Sequence, residues 1–186
     1  MTSILGTQSI QHPNGTNSMT IASDGGVSGI ATTLTEQATT SGTDVSFTVP
    51  NTVKVIYVGF MGFSFSGSND NITIRLGTSS GIATSGYAST STYTGGGHAN
   101  GGENVYGTDA IYFYYQAGAG SSLYGQVTIA NMGGNKFTTQ GHMSVSGYVS
   151  NHAGYASLGG AITTVQVRTQ NGRTFDGGAV NVTYIE

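Results

Sequence analysis

Apolar residues recur along this chain with a period of two, and no segment shows the i, i+3, i+4, i+7 spacing of an amphipathic helix. Val45, Phe47 and Val49 alternate with polar neighbours ahead of Pro50, which predicts a strand with one buried face. The run Val53 to Phe65, VKVIYVGFMGFSF, is apolar at both parities and predicts a central strand buried on two sides. Asn71 to Leu76 sets Ile72, Ile74 and Leu76 on one face and Thr73 and Arg75 on the other, the pattern of a half-buried strand. Further strands are expected at Ala110 to Gln116, Leu123 to Asn131, Phe137 to Ser150, Ile162 to Thr169 and Ala179 to Ile185. The one weak helical signal is Ala31 to Ala38, ATTLTEQA. About seven or eight short strands punctuated by Gly, Asn and Ser predict an all-β fold, an antiparallel β-sandwich of jelly-roll-like type.

Two stretches interrupt that pattern. Ser9 to Ile30 holds short β-like pieces around Pro13-Asn14-Gly15, with a second turn at Asp24-Gly25-Gly26. A lone hairpin with so few apolar residues is marginal in water, so Ile10, Met19, Ile21 and Val27 are expected to make docking or trimer contacts with other chains. The expected organisation is an amino-terminal docking or trimerising β segment, residues 1–38, followed by a β-sandwich domain, residues 39–186. Gly77 to Gly107, containing YASTSTYTGGGHANGG, is far longer than the usual connection of about 4–6 residues. It reads as a long loop, either functional or disordered.

Charge changes the picture most. The five Lys and Arg and eight Asp and Glu make up only 7% of the chain, and the formal net charge is −3. Five scattered cations cannot track phosphates, so nucleic acid is excluded as a partner. What remains in abundance is Thr, Ser, Asn, Gln, Tyr and Gly, groups that hydrogen-bond and stack without charge, as suits sugars or a neutral protein surface. There is no cysteine to form disulfides or thiolate metal sites. No stretch approaches the roughly 20 apolar residues of a membrane span, and Met1 to Gly6 is too short for a signal peptide. Synthesis in a cytoplasm with release by cell lysis is therefore expected, without membrane insertion. The 31 glycines add a demand for extra buried surface, because each one held in a strand costs roughly 0.5–1 kcal/mol relative to Ala.

Candidate chemistry is sparse. His12, His98, His142 and His152 include no pair at His-x-His or His-x₃-His spacing, so neither a metal nor another cofactor is expected. Asp44, Asp70, Asp109 and Asp176 all sit beside turn residues, where Asp reverses chains. A glycosidase would need two carboxylates facing across a cleft, and no G-x-S-x-G nucleophile elbow is present, so no catalytic residue is assigned and the chain is expected not to be an enzyme. Thr94 to Gly102 is Gly-rich but lacks the GK[ST] of a phosphate loop. Within that stretch Tyr93, His98, Asn100 and Tyr106 are the candidate receptor-binding residues, aromatic area beside adaptable polar groups. In IYFYYQ, alternation sends Tyr112 and Tyr114 to one face and Phe113 and Tyr115 to the other, half of them into the core. The Asn-x-Thr triplets at Asn14, Asn71 and Asn181 match glycosylation acceptors.

Three pieces of the chain carry a family resemblance: Ile10-Gln11-His12-Pro13-Asn14-Gly15-Thr16-Asn17 with Met19-Thr20-Ile21; Ile74-Arg75-Leu76-Gly77-Thr78 with Gly81-Ile82-Ala83-Thr84-Ser85-Gly86-Tyr87; and Ile162 to Thr169 with Thr174-Phe175-Asp176-Gly177-Gly178 and Val180 to Glu186. In this order they resemble the carboxy-terminal β-rich module of bacteriophage tail-fibre and tail-tip receptor-binding proteins. The resemblance implies a homotrimeric tip on a virion that acts outside the cell and binds a host surface glycan or outer-membrane protein. It names no receptor. Beginning at Met1 just before the first of these pieces, the chain is expected to be a short fibre or tip that docks onto other phage tail or virion proteins. A capsid decoration (cement) protein, also small, trimeric and β-rich, is the alternative, distinguished by its position on the head rather than the tail.

Overall fold

The computed structural model describes residues 8–11, 17–21, 27–28, 31–67, 69–95, 104–113 and 121–186, and every regular element among them is a β-strand. β1 (Gln8–Gln11), β2 (Asn17–Ile21) and β3 (Val27–Ser28) form a three-stranded antiparallel sheet. Its register sets Ile10 opposite Met19 and Ile21 opposite Val27, so the four expected contact positions are strand partners of one another.

The rest of the chain builds two antiparallel sheets. β4 (Ala31–Thr33), β5 (Gln37–Ala38), β6 (Asp44–Thr48), β7 (Val55–Phe65), β8 (Ile72–Thr78) and β9 (Gly81–Ile82) come first. They are followed by β10 (Tyr87–Gly95), β11 (Asn104–Gly107), β12 (Ile111–Phe113) and β13 (Leu123–Gly133). β14 (Lys136–Val145), β15 (Tyr148–Ser157), β16 (Thr164–Thr169) and β17 (Phe175–Ile185) complete the order. The larger sheet runs β11-β10-β15-β14-β13-β7-β17-β4, with β5 also on β17; the smaller runs β12-β8-β16-β6, with β9 on β8. The chain is thus an all-β antiparallel sandwich.

Alternation explains the core. Ile56, Val58 and Phe60 of β7, Val127 and Ile129 of β13, and Val180 and Val182 of β17 point inward from the larger sheet. Val45 and Phe47 of β6, Ile72, Ile74 and Leu76 of β8, and Val165 and Val167 of β16 meet them from the smaller one. At the centre Phe63 stacks edge-on against Phe60, Phe65 and Phe175, with ring centroids 5.7, 6.4 and 4.9 Å away. Phe63 and Phe65 reach that position because β7 bulges at Gly62, which shifts the parity of everything beyond it. The partner strand bulges too: Gly178 has φ +81°, and a Cβ there would stand 2.2 Å from the Gly62 carbonyl carbon. The Asp176-Gly177-Gly178 motif is therefore a backbone device, and Ser64 donates a hydrogen bond to the Asp176 carboxylate across it.

Several sequence expectations are corrected. Gly77 to Gly107 is not one long loop, since β9, β10 and β11 occupy most of its described residues. The cause is that the inward positions of β10, Ser89 and Ser91, are polar yet buried, which hides the alternation. Ala31 to Ala38 forms no helix; β4 and β5 pair with β17, so the sandwich begins at residue 31 rather than 39. Phe137 to Ser150 is not a single strand but parts of β14 and β15, joined by a tight turn in which Ser146 and Gly147 both have positive φ, 45° and 84°. β7 is central but buried on one side only: Val55, Tyr57 and Gly59 are half-buried on its other face, and Met61 is 66% exposed there. On β8, Thr73 is buried where an exposed residue was expected, donating to the Arg168 carbonyl.

Candidate functional site

The four residues first singled out for receptor contact separate in the structure. His98 and Asn100 lie outside the described residues. Tyr93 stands on β10 and faces inward, 6% exposed, with its ring 5.0 Å from that of Tyr148; it supports the sheet and offers no surface for a receptor. Tyr106, on the edge strand β11, is 67% exposed. Of the aromatic run, Tyr112 and Phe113 are both buried, and Tyr114 and Tyr115 lie outside the described residues.

Behind Tyr106 the inner side of β10, β14, β15 and β12 holds a buried polar cluster. His152 Nδ1 donates to the Tyr112 carbonyl at 3.0 Å, and the Thr139 hydroxyl donates to Nε2 at 2.7 Å, which fixes the neutral tautomer. The Phe113 ring lies 4.7 Å away. Burial pushes the imidazole down to about 4, only partly offset by the bond to Tyr112. Ser89 accepts from the Tyr112 N–H, and Ser91 and Ser150 bond to each other at 3.0 Å. Satisfied and enclosed in this way, the cluster specifies packing and offers nothing to a substrate. A second polar brace joins β8 to the loop before β12. Arg75 bonds Asp109 at 2.6 Å and the Tyr112 hydroxyl donates to Asp109 at 2.8 Å. Burial alone would raise Asp109, but these two bonds outweigh it and hold the carboxyl below its usual range. Tyr112 itself is pushed up to about 12 by burial and by that carboxylate.

Asp70 is also structural: it is buried and accepts from the backbone of Asn71 and from both the backbone and side chain of Asn171, tying two loops together. His142 is exposed, with Nδ1 donating to Asn151 Oδ1 at 2.8 Å. Among the described residues no three His, Asp or Glu side chains gather as a metal site.

What the fold does present is the outer face of the larger sheet. Strand registers order its outward side chains into four rows across β10, β15, β14, β13, β7 and β17. They read Ala88, Tyr155, Thr138, Ala130, Val55, Ile185; then Thr90, Ala153, Gln140, Thr128, Tyr57, Thr183; then Thr92, Asn151, His142, Gln126, Gly59, Asn181; then Thr94, Val149, Ser144, Tyr124, Met61, Ala179. At strand and residue spacings of about 4.8 and 3.4 Å these rows cover roughly 24 by 20 Å. Not one of the positions is Asp, Glu, Lys or Arg.

Two features break this flat hydroxyl and amide surface. Tyr106, opposite Thr90, and Tyr155, opposite Ala88, rise on either side of β10 with only small side chains between them, and Tyr155 is 54% exposed. Their backbone positions are about 12 Å apart by sheet geometry. At the centre, Gly59 leaves a hollow walled by Tyr57, Gln126, Asn181 and Thr183, of about 350 Å³, continuous over Gly59 with one of about 240 Å³ toward Met61, Ala179 and Glu36. Sequence reading passed over Tyr155 and this hollow. The available signal was parity: once β7 is read as one-sided, Tyr57, Gly59 and Met61 are its outward set.

No protein-family model and no curated protein matches the chain. Among solved structures it is similar to the CBM2 module of the evolved Dit of Lactobacillus casei BL23 phage J-1, at 8% identity over 97% of this chain and 83% of that one, with a TM-score of 0.18. A likeness of that size says nothing about function, which has to be read from the residues of this chain.

Proposed function

We propose that this chain is the receptor-recognising β-sandwich of a bacteriophage tail fibre or tail tip, contacting a host-cell glycan or outer-membrane protein through the outer face of its larger sheet. The observation that carries this reading is the absence of Asp, Glu, Lys and Arg from the four rows of that face, which Lys136 and Glu36 only border, set with exposed Tyr106 and Tyr155. Aromatic rings give area at low entropic cost and amides and hydroxyls give hydrogen bonds, a combination suited to a neutral surface and indifferent to salt. The sequence resemblance supplies the setting: a homotrimer, assembled in the host cytoplasm, displayed on the virion and bound to other tail proteins.

One observation favours a second reading, a capsid decoration protein. Tyr124 and Met61 stand exposed side by side on neighbouring strands, as residues that pack against another subunit do. Gold-labelled antibody against the chain, imaged on intact virions, separates the two. Label at the distal end of the tail is the expected result, with three copies per particle by light scattering of the purified protein. Label spread over the head would replace receptor binding with decoration.

A further inference from the structure

Glycine inside a central strand weakens it, and is retained where backbone conformation, crowding or a ligand requires it. Among the described strand glycines, all but one have a local reason. They either adopt positive φ, as at 62, 81, 95, 133 and 178, or would drive a Cβ to within 3.0 Å of a neighbour, as at 77, 107, 125, 141, 154 and 177. Gly59 has neither. Its φ is ordinary for a strand, and a Cβ there would meet nothing nearer than the Asn181 carbonyl at 4.0 Å. A valine would fit the backbone of β7, suit a strand better, and fill only the hollow.

The hollow's lining has the chemistry of sugar recognition. Tyr57 offers a ring wall and Met61 an apolar one on the same strand. Gln126 is exposed and Tyr57 half-buried, so both side chains reach the surface. Asn181 spends its Nδ2 on the Leu34 carbonyl at 2.9 Å, which fixes the amide and leaves Oδ1 to accept from a ligand. Beside Gln126 in the same row, His142 is held by Asn151, leaving its Nε2 outward. Glu36 is the one charged residue in the lining, at the edge of the smaller depression.

We propose that the hollow over Gly59 is a binding subsite for a neutral pyranose of a glycan, its ring lying across Gly59 against Tyr57 and its hydroxyls bonded by Gln126 and Asn181. The inference rests on the host-surface reading and narrows it to a sugar and a place. With no Lys or Arg in its lining and Glu36 at hand, the subsite selects against sialic or uronic acids, and the depressions on either side of Gly59 admit a second residue of the same glycan.

Saturation-transfer NMR on the full chain tests this, with the methyl glycosides of glucose, galactose, mannose, rhamnose and N-acetylglucosamine as probes and N-acetylneuraminic acid as the charged control. At least one neutral glycoside is expected to give transfer, and Gly59→Val is expected to weaken it at least tenfold without lowering the melting temperature or changing copy number. Should Gly59→Val fold poorly, the exposed Gln126→Ala takes its place with the same expectation. Transfer from no neutral glycoside, transfer from the charged sugar alone, or undiminished transfer in the folded variant would each overturn the subsite. Dissociation of the oligomer by Gly59→Val would overturn it too, by showing that the hollow receives a second copy of the chain. Host-cell adsorption of the parent protein, measured alongside, is independent: adsorption without sugar transfer sinks the subsite alone, and absence of adsorption sinks the wider reading.

Discussion

His152 makes the stability of this sandwich depend on pH well above the range where carboxylates act. Its ring is 5% exposed, is held as the neutral tautomer by Tyr112 and Thr139, and has its folded-state pKa depressed from 6.5 to about 4. The sign follows from which state takes the proton first. Unfolded chain protonates near 6.5 and folded chain does not, so stability is full above that value, falls as pH drops through it, and levels off below about 4. The total loss is about 3 kcal/mol at 1.36 kcal/mol per unit, of which about 2 kcal/mol is expressed between pH 8 and pH 5. Guanidinium unfolding of the parent and of His152→Gln at pH 8, 6.5 and 5, at one protein concentration, measures it. The variant is expected to be less stable at pH 8, having lost a fitted hydrogen-bonded ring, yet to change far less between pH 8 and pH 5. Equal pH dependence in the two proteins would refute the assignment of this loss to His152.

The bulge and the aromatic centre give two further expectations. Gly178→Ala puts a Cβ at φ +81° and 2.2 Å from the Gly62 carbonyl carbon, and is expected to cost about 3 kcal/mol or more, read as a lowered denaturation midpoint or as insoluble protein; a neutral effect would mean the paired bulge is not rigid. Phe63→Ala removes a ring in contact with three others from a fully buried site, and is expected to cost about 3–5 kcal/mol in the same assay, against less than about 1.5 kcal/mol for Phe63→Leu if the site tolerates repacking.

How much of this was legible in sequence depends on which side chains face inward. β6, β8 and β16 declare themselves because Val, Ile, Leu and Phe mark their inward positions, with Thr169 at the end of β16 the exception. β10 and β15 do not: their inward residues include Ser89, Ser91, Ser150 and His152, which survive burial only by bonding to partners on other strands. Such pairings are invisible until the strands are laid side by side, and so Tyr93 read as a loop residue although it belongs to the buried parity of β10. β4 and β5 are strands because β17 offers them an edge, not because ATTLTEQA prefers to be extended. The outer face of the larger sheet was hidden for a related reason. Its character is a property of a register spanning six strands, and no local window contains Tyr106, Tyr155 and Gln126 together.

Adsorption of the labelled protein to host cells puts the proposal for these uncharged rows to its most direct test, comparing the parent with Tyr106→Ala/Tyr155→Ala at low and high salt. Both side chains are exposed, so the variant should keep its melting temperature. The expected result is parent binding that changes little with salt and a variant weakened at least tenfold, about 1.4 kcal/mol. Equal binding by the two proteins, or parent binding that collapses as salt rises, would contradict recognition through this face.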